Sequence, residues 1–82
     1  MSAVPAAHVY RRALDPDGQD SLAKLARLVR PGSQVLDLGA GPGVLGRYLA
    51  ERLNCTVDGV ESNPAAATEA APWYRRLHCA DL

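Results

Sequence analysis

The 82-residue sequence predicts an α/β fold with a doubly wound, parallel but incomplete sheet. Three short apolar runs alternate with segments of helical periodicity, and a glycine-rich turn joins the first run to the helix after it. Strands that are joined through helices lie parallel, with right-handed crossovers. We therefore expect about three strands in the order 3-2-1, with flanking helices.

The amino-terminal part of the chain predicts an arm followed by a helix. Residues 1–18 contain two prolines and little periodicity, so we interpret them as an N-terminal arm and residues 19–82 as the domain. Asp20 can cap a helix at about 20–30, whose apolar positions share one face. Pro31 and the glycine after it are expected to end this helix.

The segment that follows predicts a strand, a turn and a helix. Residues 34–38 form an apolar run that is interrupted by one acid, and they lead directly into the glycine-rich turn 39–43. After the turn, apolar side chains recur at helical spacing over about 44–53. Gly46 in this helix is expected to let the helix pack close to its strand.

A second strand is predicted over residues 55–61, which alternate weakly and end on an acid. The next helix has Pro64 in its first position and runs to about residue 71. Ser62 or Asn63 can cap it, since both side chains accept hydrogen bonds from free helical N–H groups.

The last part of the chain predicts a third strand over residues 76–80. Pro72 ends the helix before it, because proline cannot continue a helical hydrogen-bond pattern. Trp73 and Tyr74 are expected to pack the end of that helix on the sheet.

Composition and charge exclude several classes of function. Nine acidic and nine basic residues give a formal net charge of zero without a basic stripe, so no nucleic-acid partner is evident. No apolar run is long enough for a membrane span and no signal peptide is recognisable, so we expect a cytoplasmic protein without membrane contacts. Cys55 and Cys79 form no metal or redox motif, and we expect two small buried residues, too far apart for a disulfide.

The glycine-rich turn predicts a ligand site. Glycines at positions 39, 41 and 43 permit a sharp turn from strand to helix and let a ligand lie against bare main chain. The next helix directs its free N–H groups and the positive end of its dipole at that ligand. By itself the turn indicates a nucleotide-like or carboxylate-bearing ligand, without identifying which one.

Two acids narrow the ligand to an adenosine. Glu61 ends the second strand twenty residues after Gly41, where a carboxylate can accept hydrogen bonds from both hydroxyls of a ribose. Asp81 follows the third strand at the same edge of the sheet, where a carboxylate could accept a bond from the exocyclic amine of adenine. Together, the turn and the two acids outline an adenosine site at the carboxyl ends of the strands.

Asp37 bears on which adenosine ligand is bound. The pattern Gly41-x-Gly43-x-x-Gly46 satisfies the dinucleotide fingerprint and would imply NAD or a related ligand. An acid inside the first strand is unfavourable beside a pyrophosphate but favourable beside the ammonium group of a methionine moiety. Asp37 therefore favours a ligand with a methionine moiety over a dinucleotide.

These motifs resemble those of class I S-adenosylmethionine-dependent methyltransferases. Residues 37–43, with the sequence Asp-Leu-Gly-Ala-Gly-Pro-Gly, are similar to the first signature motif of that family. Residues 57–61 resemble its second strand with the ribose-binding acid, residues 62–64 its following helix start, and residues 79–82 its third-strand motif. The resemblance covers roughly residues 20–82 and implies the N-terminal, cofactor-binding half of a Rossmann-like domain whose full sheet has seven strands.

The resemblance implies S-adenosylmethionine as the cofactor and methyl transfer to an unidentified acceptor, for which we predict a small molecule. No residue of the chain is a convincing general base, so we name no catalytic residue. The implied cofactor-binding residues are Asp37, Gly39, Ala40, Gly41, Gly43, Glu61 and Asp81, with Ser62, Asn63 and Leu82 lining the adenine.

Two other functions stay open at this point. One is an NAD(P)-dependent oxidoreductase fragment that shares the fold, and the other is a non-catalytic module that binds adenosine-type ligands or a partner. In half of a fold, the first strand would have a bare apolar edge, which is a template for pairing with another chain. We therefore also predict self-association through that strand or partial disorder, and no methyl transfer by this chain alone.

Overall fold

The structure is a computed structural model that describes residues 13–81. The first twelve residues of the predicted arm, and Leu82, lie outside the described residues. Helices and strands alternate along the described part of the chain, as the sequence predicts. In order, the elements are α1 (Ser21–Leu28), β1 (Gln34–Leu38), α2 (Val44–Arg52), β2 (Thr56–Glu61), α3 (Pro64–Ala70), a 3₁₀ turn (Ala71–Trp73) and β3 (Arg76–Cys79).

Two short polar side chains determine where helices begin. The Oδ1 atom of Asp20 accepts a hydrogen bond of 2.9 Å from the N–H group of Ala23 and caps α1. Asn63, and not Ser62, caps α3, where its Oδ1 atom accepts bonds of 2.9 and 3.1 Å from the second and third residues of the helix. These N–H groups have no partner within the helix, so the caps stabilise the helix starts.

Proline sets the end of α3. The α-helix ends at Ala70, and the chain passes through Pro72 as a 3₁₀ turn before it becomes extended at Tyr74. Proline has no N–H group with which to continue the α-helical pattern. The change of direction brings Tyr74 back toward the sheet, where its side chain is buried.

Within residues 13–81, the sheet has three parallel strands in the order β1-β2-β3, which confirms the predicted topology. Val35 on β1 lies opposite Val57 on β2, and Gly59 on β2 lies opposite Leu77 on β3. Because side chains alternate across a strand, this register places Val35, Val57 and Leu77 on one face of the sheet. All three contribute to the hydrophobic core.

The core lies on one face of the sheet, and the other face carries exposed apolar side chains. Leu49 of α2 is fully buried against the core face, together with Val57 and Ala70. On the opposite face of β1, Leu36 and Leu38 are 64% and 59% exposed. The described residues therefore form one packed layer of helices on an incomplete sheet.

The prediction that both cysteines are buried is right for Cys55 and wrong for Cys79. Cys55 is buried in the core, whereas Cys79 is exposed at the last position of the outer strand β3. A side chain at the end of an outer strand has neighbours on one side only, so it stays in contact with solvent. Both thiols are free.

Within residues 13–81, no helix combines the length and the hydropathy that are needed to cross a membrane.

Candidate functional site

The carboxyl ends of the three strands meet at one edge of the sheet, and most of the predicted site residues lie there. The N–H groups of Gly39 and Ala40 both donate to the carbonyl oxygen of Val60, at 2.9 and 3.0 Å, which ties the glycine turn to the end of β2. The N–H group of Ala80 donates to the carbonyl oxygen of Glu61 at 3.1 Å, which aligns the end of β3 with the end of β2. Parallel strands thus bring three separated segments of the chain to one place.

Gly39 and Gly41 expose their main chain at this edge. Their φ angles are 76° and 59°, a left-handed conformation that side-chain-bearing residues rarely adopt. A Cβ atom at either position would meet no heavy atom within 4 Å. The absence of a side chain at these two positions leaves room at the edge of the sheet, where a ligand can approach the backbone.

Gly43 and Ala40 have a packing role at the same turn. A Cβ atom on Gly43 would lie 2.8 Å from the Cα atom of Ala70, so the turn and α3 can approach each other only with glycine at this position. The methyl group of Ala40 is buried in the core, which leaves only its main chain for a ligand. The four predicted site residues in the turn therefore divide into Gly39 and Gly41, which face open space, and Ala40 and Gly43, which pack against the rest of the fold.

Glu61 links the glycine turn to the start of α3. Its Oε1 atom accepts a hydrogen bond of 2.6 Å from the N–H group of Gly41, and its Oε2 atom accepts one of 2.9 Å from the N–H group of Asn63. These backbone donors, Asn63 first and then Gly41, lower the pKa of Glu61 below its ordinary value of 4.5. The side chain is therefore an ionised acceptor at the point where three elements meet.

The remaining predicted residues at this edge have exposed side chains or serve as caps. Asp81 and Ser62 are exposed, beyond the ends of β3 and β2 respectively. Asn63 is also exposed, with its Oδ1 atom engaged in capping α3. Leu82, which was predicted to line the adenine, lies outside the described residues.

Asp37 forms a contact that the sequence analysis missed. The hydroxyl of Tyr74 donates a hydrogen bond of 2.6 Å to the Oδ2 atom of Asp37, although the two residues are 37 positions apart. Burial raises the pKa of Asp37 above its ordinary value of 3.8, and the negative charge of Glu61 adds to this, whereas the bond from Tyr74 opposes it. Burial and the bond to Asp37 raise the pKa of Tyr74, so the tyrosine stays a donor.

Two glycines make room for Tyr74. A Cβ atom at Gly46 would overlap the tyrosine ring, and one at Gly59 would lie 2.8 Å from it. The prediction that Gly46 allows α2 to pack close to its strand is thus incomplete, because the space beside Gly46 holds the ring of Tyr74. In the sequence, Gly46 and Gly59 are the signal that bears on the contact between Tyr74 and Asp37. A glycine does not, however, indicate which side chain will pack against it.

Trp73 is partly buried at the edge of the core, beside α2. Its Nε1–H group donates to the Oε2 atom of Glu51 at 3.2 Å, and the guanidinium of Arg47 lies 5.0 Å from the centre of its ring. The expectation that both aromatic residues pack the end of α3 on the sheet is met by Tyr74, whose side chain is buried, while Trp73 packs against the edge of the core and against α2.

Replacing Asp37 with asparagine should stabilise the fold at neutral pH. Ionised Asp37 is disfavoured in the folded state because its pKa is raised, whereas an asparagine is neutral and can still accept the bond from Tyr74. The gain in thermal stability should disappear as the pH falls through the raised pKa, since the wild-type carboxyl then becomes neutral too. Thermal unfolding followed by circular dichroism at neutral pH, and again below pH 3.8, measures this.

Asp58→Asn is the matched control for this prediction. Arg75 holds Asp58 through bonds of 3.1 and 2.6 Å and lowers its pKa, so neutralising Asp58 should not stabilise the fold at neutral pH. A stability gain in Asp37→Asn that persists at low pH would contradict the argument.

A family model described as "Methionine biosynthesis protein MetW" matches residues 19–73, about two thirds of the chain. The chain belongs to the MetW family. This membership and the methyltransferase relatives described below confirm the resemblance to class I S-adenosylmethionine-dependent methyltransferases.

Curated relatives of this MetW-family chain are methyltransferases. A tRNA1(Val) (adenine(37)-N6)-methyltransferase from Edwardsiella ictaluri is 43% identical over 68 residues, which cover 73% of this chain and 28% of that protein. A ribosomal protein L11 methyltransferase from Thermus thermophilus is 46% identical over 50 residues, which cover 61% of this chain and 19% of that protein. The MetW-family chain thus spans 19–28% of the length of these relatives.

Solved structures share the fold of this MetW-family chain. A TehB-like S-adenosylmethionine-dependent methyltransferase from Corynebacterium glutamicum matches 98% of the chain and 45% of its own length, with a TM-score of 0.64 and 24% identity. A methyltransferase from Thiobacillus denitrificans in complex with S-adenosylhomocysteine matches 87% of the chain and 33% of its own length, with a TM-score of 0.60 and 22% identity. At this identity the similarity establishes the Rossmann-like fold, and the MetW-family chain contains an incomplete sheet of it.

The prediction that no nucleic-acid partner is evident is wrong. Relatives from Edwardsiella ictaluri, Cytophaga hutchinsonii and Dickeya chrysanthemi are tRNA methyltransferases, and the chain resembles all three. The prediction rested on a net charge of zero, which describes the long-range field of a protein. Net charge carries no information about contacts to an acceptor that other parts of an enzyme make, so the accompanying prediction of a small-molecule acceptor also loses its basis.

Proposed function

We propose that this chain binds S-adenosylmethionine at the carboxyl edge of its sheet, as the cofactor-binding half, residues 19–82, of a methyltransferase. The observation that carries the proposal is the junction of the glycine turn with Glu61. There, main chain that faces open space and an ionised carboxylate meet at the edge where parallel α/β sheets bind their ligands. Membership of the MetW family and the methyltransferase relatives support the same function.

The residues at this edge fit the chemistry of the cofactor. The space over Gly39 and Gly41 accommodates a ligand against the backbone. Glu61 offers acceptor oxygens for the ribose hydroxyls, and exposed Asp81 offers an acceptor for the adenine amine. Asp37 supplies the acid that pairs with the ammonium group of the methionine moiety.

When bound, S-adenosylmethionine supplies a methyl group that is already activated on a sulfonium. The residues of this chain hold and orient that donor, which is the main contribution a protein makes to such a transfer, together with the exclusion of water. We assign no general base to the described residues. The groups that position the acceptor are proposed to lie in other parts of the whole protein, since the chain spans a small part of its relatives.

We further propose that the acceptor of the whole protein is a base of an RNA. Three relatives that are 39–44% identical to the chain are tRNA adenine methyltransferases, which supports this class over others. The test uses the longest natural protein that contains this chain, with tritiated S-adenosylmethionine and total tRNA or total protein as acceptors. Label in the tRNA is expected, and label in the protein fraction alone would overturn the choice of acceptor.

An amide-shift NMR titration of this chain with S-adenosylhomocysteine, and separately with NAD, tests cofactor binding. Saturable shifts at Gly39, Gly41 and Glu61 with S-adenosylhomocysteine alone are expected. Shifts with NAD alone would favour an oxidoreductase fragment, because Asp37 would then not discriminate against a pyrophosphate. If neither ligand changed the amide shifts, the proposal that this chain binds the cofactor would be overturned.

A further inference from the structure

We propose that Tyr74 is a positioning residue that holds the carboxylate of Asp37 toward the ammonium group of the bound cofactor. This inference rests on the proposed function and deepens it, because it identifies a residue outside the glycine turn and the strand ends that controls cofactor affinity. Tyr74 acts through Asp37 and does not itself contact the cofactor in this proposal.

The geometry gives Tyr74 a specific hold on one oxygen of Asp37. The hydroxyl lies 2.6 Å from the Oδ2 atom, within the range of a strong, charge-assisted hydrogen bond. An ionised carboxylate has two oxygens that accept, so the Oδ1 atom keeps its capacity to bind an ammonium group. The bond thereby fixes the orientation of the carboxylate and leaves its second oxygen available to the ligand.

The burial of Tyr74 makes this hold rigid. The side chain is 8% exposed and fills the hollow that the absent side chains of Gly46 and Gly59 create. A phenylalanine ring would fill the same hollow, so packing alone does not require the hydroxyl. What the hydroxyl adds is the hydrogen bond to Asp37. A buried tyrosine hydroxyl normally has such a partner.

The hydroxyl also counteracts the surroundings that disfavour the ionised form of Asp37. Two influences raise the pKa of this carboxyl, namely burial and the charge of Glu61 at the end of β2. The bond from Tyr74, which follows the 3₁₀ turn, lowers it. Tyr74 and Glu61 are the titratable groups that act on Asp37 within the described residues. Removing the hydroxyl therefore leaves the carboxyl easier to protonate and free to turn away from the ligand.

The test compares two ligands in the full chain and in Tyr74→Phe. S-Adenosylhomocysteine carries the ammonium group, whereas 5′-methylthioadenosine keeps the adenosine and lacks that group. Titration calorimetry should show S-adenosylhomocysteine weakened about tenfold by the variant, the loss expected for one hydrogen bond to a charged group. The affinity for 5′-methylthioadenosine should stay unchanged. In addition, the affinity for S-adenosylhomocysteine should fall as the pH is lowered, and this fall should begin at a higher pH in the variant because Asp37 is then easier to protonate.

Two further variants separate positioning from packing. Tyr48→Phe removes the hydroxyl of the partly buried tyrosine on α2 and should leave the affinity for both ligands unchanged. In an Asp37→Asn background, Tyr74→Phe should cause no further loss of affinity for S-adenosylhomocysteine, because the residue through which it acts has lost its charge.

Equal weakening of both ligands by Tyr74→Phe, or no weakening of either, would overturn the inference and leave the proposed function standing. Absence of binding of both ligands to the unmodified chain would instead overturn the proposed function, and the inference with it. If Tyr74→Phe does not fold, the ¹³Cζ resonance of Tyr74 in the unmodified chain provides a second test. It must shift on addition of S-adenosylhomocysteine and stay in place with 5′-methylthioadenosine, and any other result contradicts the role of Tyr74.

Discussion

Replacing Leu49 with alanine should lower the free energy of unfolding by about 2–5 kcal/mol, the range measured for buried leucines in other proteins. Leu49 has no exposed surface and lies in the core with Val57, Ala70 and Tyr74. The shortened side chain would leave a cavity beneath the sheet that its neighbours cannot fill. A chain of 82 residues is expected to have about 4–12 kcal/mol of stability, so the variant should lose a large fraction of it.

Leu28→Ala is the matched control, because it makes the same chemical change on a side chain that is 82% exposed. Its effect should stay within about 0.5 kcal/mol. Urea denaturation followed by circular dichroism measures both variants. Similar losses in the two variants would mean that Leu49 does not form the centre of the core.

Replacing Glu61 with glutamine should weaken the binding of S-adenosylhomocysteine about 100-fold, since the proposed role of Glu61 is to accept two hydrogen bonds from the ribose hydroxyls on a charged group. The change also disturbs the turn, because the carboxylate accepts N–H bonds from Gly41 and Asn63 on its two oxygens. A glutamine has one carbonyl oxygen, so its amide nitrogen would face one of these N–H donors. Titration calorimetry with the same ligand pair measures the loss.

The two ligands distinguish Glu61 from Asp37 and Tyr74. 5′-Methylthioadenosine retains the ribose, so Glu61→Gln should weaken both ligands, whereas Tyr74→Phe should weaken S-adenosylhomocysteine alone. Glu51→Gln, an exposed substitution near the C-terminal end of α2, is the control and should leave the affinity for both ligands unchanged. If Glu61→Gln weakened the binding of S-adenosylhomocysteine but not that of 5′-methylthioadenosine, this would contradict a ribose-binding role for the residue.

The zero net charge led to one wrong conclusion about function. Net charge bears on the bulk attraction of a partner, whereas an acceptor is recognised by particular groups at short range. The motifs in this sequence describe the cofactor side of the reaction, which methyltransferases with very different acceptors share. For that reason, the residues that identify the family carry little information about the methyl acceptor.

The sequence by itself determined the order of the elements and the positions of the glycine turn and Glu61. Local signals define these features: Asp20 and Asn63 cap helices, Pro72 follows the end of α3, and glycines mark the turn. The predicted strand over residues 34–38 agrees with β1, and the other strands differ from their predicted bounds by one residue. Such signals act between residues a few positions apart, so they can be read without knowledge of the fold.

Only the tertiary structure decided which residue orients Asp37 and which structural role each glycine has. The partner of Asp37 is Tyr74, 37 residues away, and the contact exists because the 3₁₀ turn returns the chain toward the sheet. Gly43 and Gly39 look alike in the sequence, yet one packs against Ala70 and the other faces open space. These differences depend on which elements pack against each other, and burial then sets the pKa of Asp37 through the loss of water around it.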